Sequence, residues 1–399
     1  MSKTLFTEYP EQDERKYYDL VVEQVNLRMD NLYKDQERAL RDTHTKSHAA
    51  VKGSLEIFDF DEDAIKRELS QRASLTSSQL NAISLKQGLL SSPKQYPVWL
   101  RFANGAFSIK NDYESDTRSM AVKVMGVEGE RLEQSYESKT QDIIVHNSEF
   151  FFVKTIRDYY GFFSAVVEST EATKKWLYRH PRQFLALLKG TGGIPKSLLT
   201  QRYWSSSASA LGLKPDFDPS QTSRVPVEYP AVIKCAFTPV SSQPPHNRIP
   251  FEPRPGIPKL PFSDRAKALG LDPSQMDNYY RDDIIQSLAK PDAQYCWDFG
   301  IQFQTNPNMS IDDTTITWKE SESPFFTVGR LTVKHQIINF EKQYDFCENL
   351  RFSPWNGLAV HRPVGAINRL RGVVYPVVAS YRYQKQGLVH NEPTGNETF

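Results

Sequence analysis

The sequence predicts an α+β protein: about eight strands forming a closed antiparallel barrel or a sandwich, with helices around them. Three observations carry this. Four runs rich in β-branched and aromatic residues occupy the first half, SLEIFDF, YPVWLRFANGAF, SMAVKVMGV and QDIIVHNSEFFF. A second set follows in VEYPAVIKCAFTPV, AQYCWDFGIQFQT, TTITWKE and FFTVGRLTVKHQ. Stretches of helical period flank and separate the two sets.

Taken in order, residues 11–42 are highly charged, with Val21, Val22, Val25, Leu32 and Tyr33 recurring at helical intervals. This reads as an amphipathic helical arm, spanning residues 1–42, that leads directly into His44. Residues 154–190 return to helical spacing, and Ile156, Tyr159, Tyr160, Phe163, Val166 and Val167 form one apolar face expected to pack on the sheet. Prolines at 244, 245, 250, 253, 255, 258 and 261 exclude a central strand or helix there and predict an extended wrapping loop. A final helix carries Tyr375, and the polar residues 386–399 are expected to be a mobile tail. No internal repeat divides the chain, so one continuous domain is the simplest organisation.

At 399 residues the chain can bury a large core without crosslinks. Lys and Arg total 49 against 48 Asp and Glu, and a net charge of +1 gives no general attraction to nucleic acid or an anionic membrane. Weak membrane association through a local patch is the most that composition allows. The first twenty residues are too charged for a signal peptide, and no apolar run reaches the length of a membrane span, so a soluble cytoplasmic protein is expected. Cys235, Cys296 and Cys347 are odd in number and widely spaced, which argues against a disulfide framework or a zinc knuckle. Aromatic clusters at Phe150–Phe152 and Tyr159–Phe163 are ordinary core, or walls for a flat apolar cofactor.

Several segments carry chemistry. Arg371, Tyr375 and Arg382 stand four and seven residues apart, which at 3.6 residues per turn puts all three on one side of a helix. A phenol between two cations suits a tyrosinate bound to ferric iron, since positive charge favours the ionised form. Pro376, directly after the phenol, removes a helical hydrogen bond and predicts a kink. In Arg41-Asp42-Thr43-His44-Thr45-Lys46-Ser47-His48, the two histidines four apart lack the internal Glu of the zinc-hydrolase helix and any third ligand. The better reading makes one histidine a proton acceptor and donor, with Arg41 anchoring an anion. Asn147 follows a strand and would hydrogen-bond a bound peroxide, whereas by itself it is a turn residue. Arg118, in Asp116-Thr117-Arg118, would pair with a carboxylate.

In this order, these segments resemble the catalase superfamily of haem proteins over roughly residues 40–385. The resemblance is to its short members, the mini-catalases and coral-type allene oxide synthases. It implies an eight-stranded antiparallel β-barrel over residues 43–385, with haem b buried between the barrel and the C-terminal helix. It implies His44 as the distal histidine, Asn147 as the distal asparagine, with His146 its alternative should the alignment slip by one, and Tyr375 as the iron ligand. Arg371 would be the ionising partner of Tyr375, and Arg41, Arg118 and Arg382 the propionate contacts. Thr43 departs from the valine usual in true catalases and matches the allene oxide synthase type; its hydroxyl would bond either the imidazole or the incoming peroxide.

The resemblance therefore implies cleavage of the O–O bond of organic or fatty-acid hydroperoxides, in the manner of an allene oxide synthase or hydroperoxide lyase, with some catalase and peroxidase activity. A small true catalase acting on hydrogen peroxide is the alternative. A dimer or larger assembly and a lipoxygenase supplying the substrate are the implied partners. From other classes, a haem sensor without turnover would not need both His44 and Asn147, and a lipid-binding barrel would leave the Arg-x3-Tyr-x6-Arg spacing unexplained.

Overall fold

A computed structural model describes residues 4–73, 75–112, 114–191, 195–213, 226–240 and 276–399. The proline-rich segment at 244–261 lies outside these residues. Eight strands form the barrel: β1 (Ser47–Ile57), β2 (Lys94–Asn104), β3 (Arg118–Met125), β4 (Thr140–His146), β5 (Tyr203–Trp204), β6 (Val232–Pro239), β7 (Gln294–Phe303) and β8 (Phe326–Lys334). Each pairs antiparallel with the next, and β8 pairs back with β1. The sheet is thus a closed meander with no free edge along its wall.

Side chains alternate across the wall with a period of 2. Val98, Leu100 and Phe102 of β2, Met120, Val122 and Val124 of β3, and Ile143 and Val145 of β4 all enter one buried apolar cluster inside the barrel. Each large apolar side chain withdrawn from water there contributes about 1.5–3 kcal/mol. The intervening residues face outward, where helices cover them. Lys123 is among these, fully buried between Glu137 and Asp142.

Nine helices surround the barrel among the described residues: α1 (Glu14–Tyr33), α2 (Glu62–Arg72), α3 (Ser77–Ala82), α4 (Ile156–Glu168), α5 (Thr170–Arg179), α6 (Pro181–Thr191), α7 (Tyr279–Leu288), α8 (Phe340–Asn349) and α9 (Ala366–Gln386). The arm is helical as expected, and Val21, Val25 and Met29 form its buried stripe. The apolar face of α4 does not pack on the sheet. Ile156, Tyr159, Tyr160, Phe163 and Val167 instead join α1 and α9 in a separate helical core with Leu370 and Val374.

Two further expectations change. TTITWKE is a turn, because Asp313 Oδ1 accepts from the backbone N–H and hydroxyl of Thr315 (3.1 and 2.6 Å), a local bond that competes with a strand ladder. The eighth barrel strand is the two-residue β5. The C-terminal tail is anchored: Glu392 accepts from the N–H groups of Ser138 and Lys139, Glu397 accepts from Trp99 Nε1 (2.7 Å), and the Phe399 ring lies 5.1 Å from that of Phe346. Helix α9 extends on both sides of Pro376.

Helix α9 approaches the indole of Trp355 at Gly372, where a Cβ would lie 2.9 Å from the ring. Trp355 is held in turn by its Nε1–H, which donates to the Asn368 carbonyl (2.6 Å). Gly372→Ala should therefore destabilise the protein by about 1–3 kcal/mol despite alanine's better helix propensity. Chemical denaturation checks this; a variant as stable as the wild type would mean that the contact is slack.

Candidate active site

Four strand ends meet at one rim of the barrel. Register pairs Ser47 with Ala103, Ala103 with Ser119, and Ser119 with His146. Alternation puts Arg101, Ser119 and His146 on the outer face, while Phe102, Asn104 and Arg118 turn inward. His44 lies just before β1 with φ of +55°, in the left-handed region that few non-glycine residues adopt. Such an outlier is a marker of a functional position.

One hydroxyl holds the ring of His44. Ser119 Oγ lies 2.8 Å from His44 Nδ1 and 3.2 Å from the Ala103 carbonyl; when its hydrogen goes to the carbonyl, its oxygen accepts from Nδ1–H. Nε2 then carries a lone pair and makes no hydrogen bond among the described residues. Burial, together with Arg101, Arg371 and Arg41, pushes the His44 pKa down to about 3. The imidazole is neutral across the physiological range and available as a base.

His146 stands beside it, with the two ring centroids 5.4 Å apart. It is buried, neither ring nitrogen has a hydrogen-bond partner among the described residues, and burial, His44 and Arg371 hold its pKa well below the usual value. Asn147 extends the ladder: its N–H donates to the Arg118 carbonyl (2.9 Å) and its Oδ1 accepts from the Arg118 N–H (2.7 Å). That leaves the Nδ2 amide as its available donor. Thr43 is half-buried and makes no hydrogen bond among the described residues, so the imidazole's hydroxyl partner is Ser119 and not Thr43.

The cations divide into two groups. Arg118, expected as a carboxylate contact, points into the barrel, where it donates to Asn104 Oδ1 and to the carbonyls of Asp112 and Glu114 (2.9 and 2.8 Å) and lies 4.9 Å from the Tyr280 ring centroid. Its position in the two-residue alternation, one away from Ser119, puts it on the wrong side of the wall. His48 shares that interior network through Asn104 (2.7 Å).

On the outer face, Arg101 replaces it. Arg41 and Arg101 both pair with Glu348, Arg101 at 3.0 Å, and Arg382 donates to the Glu348 carbonyl. Two guanidinium groups thus share one carboxylate, and a third is held at the backbone of the same residue. Burial works against ionising Glu348, but Arg41, Arg101 and Arg382 overcome it and hold the carboxyl down at about 2. Burial and the neighbouring Arg41 lower Arg382 to about 9, and its buried Nε has no partner among the described residues. A cluster with surplus positive charge and idle donors is suited to further carboxylates.

Tyr375 lies half-buried on α9, and its hydroxyl makes no hydrogen bond among the described residues. Arg371 turns from it toward Ser207 Oγ (3.2 Å) and Asn368 Oδ1 (3.3 Å). Sequence reasoning missed three members of this site. Arg101 carried a signal, as a lone charge inside the apolar run VWLRFA. Ser119 and Glu348 carried none, because register and helix docking alone bring them to the rim.

Glu348→Gln should cost about 3–5 kcal/mol, since it leaves buried guanidiniums without their anion. The carboxyl's pKa in the folded protein lies below its ordinary 4.5, so its stabilisation is complete above that pH and is lost as pH falls toward 2. Urea titrations across this range should show that acid limb in the wild type and a shallower one in the variant; identical limbs would exclude Glu348 as its source.

No protein-family model matches the chain, and no curated protein matches it in sequence. Solved structures do. A fungal catalase superposes with a TM-score of 0.57 at 16% identity, over 96% of this chain and 65% of that one. Catalase A from Saccharomyces cerevisiae gives 0.58 at 15%, over 96% and 67%. A bacterial catalase gives 0.54 at 18%, over 91% and 62%. The chain therefore spans about two thirds of the length of the catalases it matches. With its closed eight-stranded antiparallel barrel and flanking helices, this chain has the catalase-like fold.

Proposed function

We propose that the chain is a haem enzyme that cleaves the O–O bond of peroxides, with organic or fatty-acid hydroperoxides as its main substrates and hydrogen peroxide as a lesser one. The observation that carries this reading is the rim itself: a neutral His44 with its Nε2 lone pair unused, beside a guanidinium cluster that carries more positive charge than Glu348 offsets. The residues present fit haem b. Tyr375, with its hydroxyl unbonded, would ligate the iron, and Arg41, Arg101 and Arg382 would hold the two propionates. Bound there, ferric haem supplies Lewis acidity and electrons for breaking an O–O bond.

The chain's own residues handle the proton. His44 Nε2 accepts it from the hydroperoxide and returns it to the departing oxygen, while Ser119 Oγ accepts from Nδ1–H and holds the ring in place. Asn147 Nδ2 donates to the substrate oxygen, because its Oδ1 is fixed by the Arg118 backbone. His44 would stay neutral well into the acid range, since its pKa is pushed down to about 3.

Two features support an organic substrate. Thr43 offers the incoming peroxide a hydroxyl that makes no hydrogen bond among the described residues. A cavity partly open to solvent is lined by Arg371 and by the apolar side chains of Ile143, Ile144, Ile233, Phe299 and Ile301. Such a lining suits an aliphatic chain. A lipoxygenase is the class of enzyme that would supply such a substrate.

Tyr375→Phe removes the proposed anionic ligand. It should lower haem content after reconstitution, or abolish peroxide consumption, as read by the Soret band and by peroxide loss; wild-type values for both would exclude Tyr375 as the ligand. Thr43→Val should raise hydrogen peroxide breakdown relative to fatty-acid hydroperoxide turnover. An unchanged ratio would remove the hydroxyl from substrate choice.

A further inference from the structure

Helices α5 and α6 differ from the other described helices of ten or more residues in burying no side chain completely. Trp176 docks α5 on α4, its ring centroid 5.4 Å from that of Phe162. The side turned away is exposed, and helical spacing groups it: Lys174, Lys175, Tyr178 and Arg179 share one side of α5, and Arg182, Leu185 and Lys189 one side of α6. Tyr178 is 77% exposed and Leu185 55%. The rings of Tyr178 and Phe184 lie 6.2 Å apart and join the two helices into one face.

Charge is concentrated there. Residues 170–191 carry five lysines and arginines against one carboxylate, Glu171, although the whole chain has a net charge of only +1. Glu171 pairs with Lys174 (3.5 Å), and Lys175, Arg179, Arg182 and Lys189 have no carboxylate partner among the described residues. An apolar patch rimmed by charge marks an interaction surface, and the sign of the rim selects the partner. A bilayer containing anionic lipid presents negative charge with hydrocarbon directly beneath it, which matches cations around a tyrosine and a leucine. A second copy fits poorly, because two-fold pairing of this face would set its cations against themselves. Duplex DNA would answer the charge but offers no apolar layer to Leu185.

We propose that α5 and α6 dock the protein on anionic membrane surfaces, with Tyr178 and Leu185 entering the headgroup layer and the surrounding cations held by lipid charge. At 10 and 11 residues the helices are too short to cross a bilayer, which takes about 20, so they lie along its surface. The face adjoins the rim. A Cβ at Gly190 would lie 3.3 Å from Ser148 Oγ, one residue past Asn147, and Lys189 Nζ is 5.2 Å from the centroid of the Phe150 ring. A docked membrane is thus brought beside the segment that follows β4. Binding rests on this exposed face alone and not on the proposed peroxide chemistry, so either can fail without the other.

The test is co-sedimentation of the full chain with phosphatidylcholine vesicles that either lack phosphatidylserine or contain about 30% of it. The anionic vesicles should bind at least roughly tenfold tighter than the neutral ones, and the gain should shrink steeply as salt is raised. The double variant Lys175→Glu/Arg182→Glu should lose the gain, while the same change of charge in Arg67→Glu/Lys342→Glu, on α2 and α8, should keep it. Tyr178→Ser/Leu185→Ser should weaken binding to the anionic vesicles roughly tenfold. All six side chains are exposed, so the fold should tolerate these changes. Absent or equal binding to the two vesicles, or a gain that both charge variants lose alike, overturns the proposal. So does tighter binding to duplex DNA that Tyr178→Ser/Leu185→Ser leaves unchanged, or a dimer in solution that those two substitutions dissociate.

Discussion

The site depends on the two-residue alternation of a closed barrel wall. Ser119 and Arg118 are neighbours in sequence, yet one reaches His44 on the outer face and the other is enclosed with Asn104 and Tyr280. Closure fixes this sorting, because a slip of one residue in any pair would exchange the apolar lining of the barrel for its charged exterior. The rim chemistry is therefore as well determined as the core. The same ladder that buries Met120 and Val122 sets the distance between Ser119 and the imidazole.

Burying the arginine cluster is the energetically demanding part of the design. Three guanidiniums withdrawn from water repel one another, and a single carboxylate offsets only part of that cost. Backbone carbonyls of Cys347 and Leu350 accept from Arg41 and lower it further (3.2 and 2.9 Å). A chain selected for stability alone would have little use for such a group. Its presence on the same face of the fold as a neutral imidazole, with a phenol that has no partner among the described residues, is intelligible if anionic groups of a ligand complete it.

Much of the fold was legible because period and composition agree. The apolar alternation of YPVWLRFANG and SMAVKVMGV predicts β2 and β3, and the stripe Val21–Val25 predicts α1. What escaped was set by tertiary context. β5 is two residues long and has no pattern to detect, whereas TTITWKE has β-branched residues but is captured by the Asp313 turn. The tail looked mobile by composition, but Glu392 and Glu397 find backbone and indole donors across the barrel surface. For the candidate site, Tyr375 and Arg382 were singled out by spacing, and His44 and Arg41 by the family resemblance. Arg118 misled because its motif says nothing about which side of the wall it faces, and Ser119 and Glu348 reach the rim only through long-range pairing.

The left-handed backbone at His44 narrows what can stand there. Asparagine, aspartate and glycine tolerate that conformation, whereas valine, isoleucine and threonine would have to unwind the entry to β1 and drag Thr45 with them. Natural diversification of the proton-handling group is thus channelled through a handful of amino acids. A designer who wants new reactivity at this rim meets no such backbone restriction at position 146, where the strand is ordinarily extended and only the enclosed space limits the side chain.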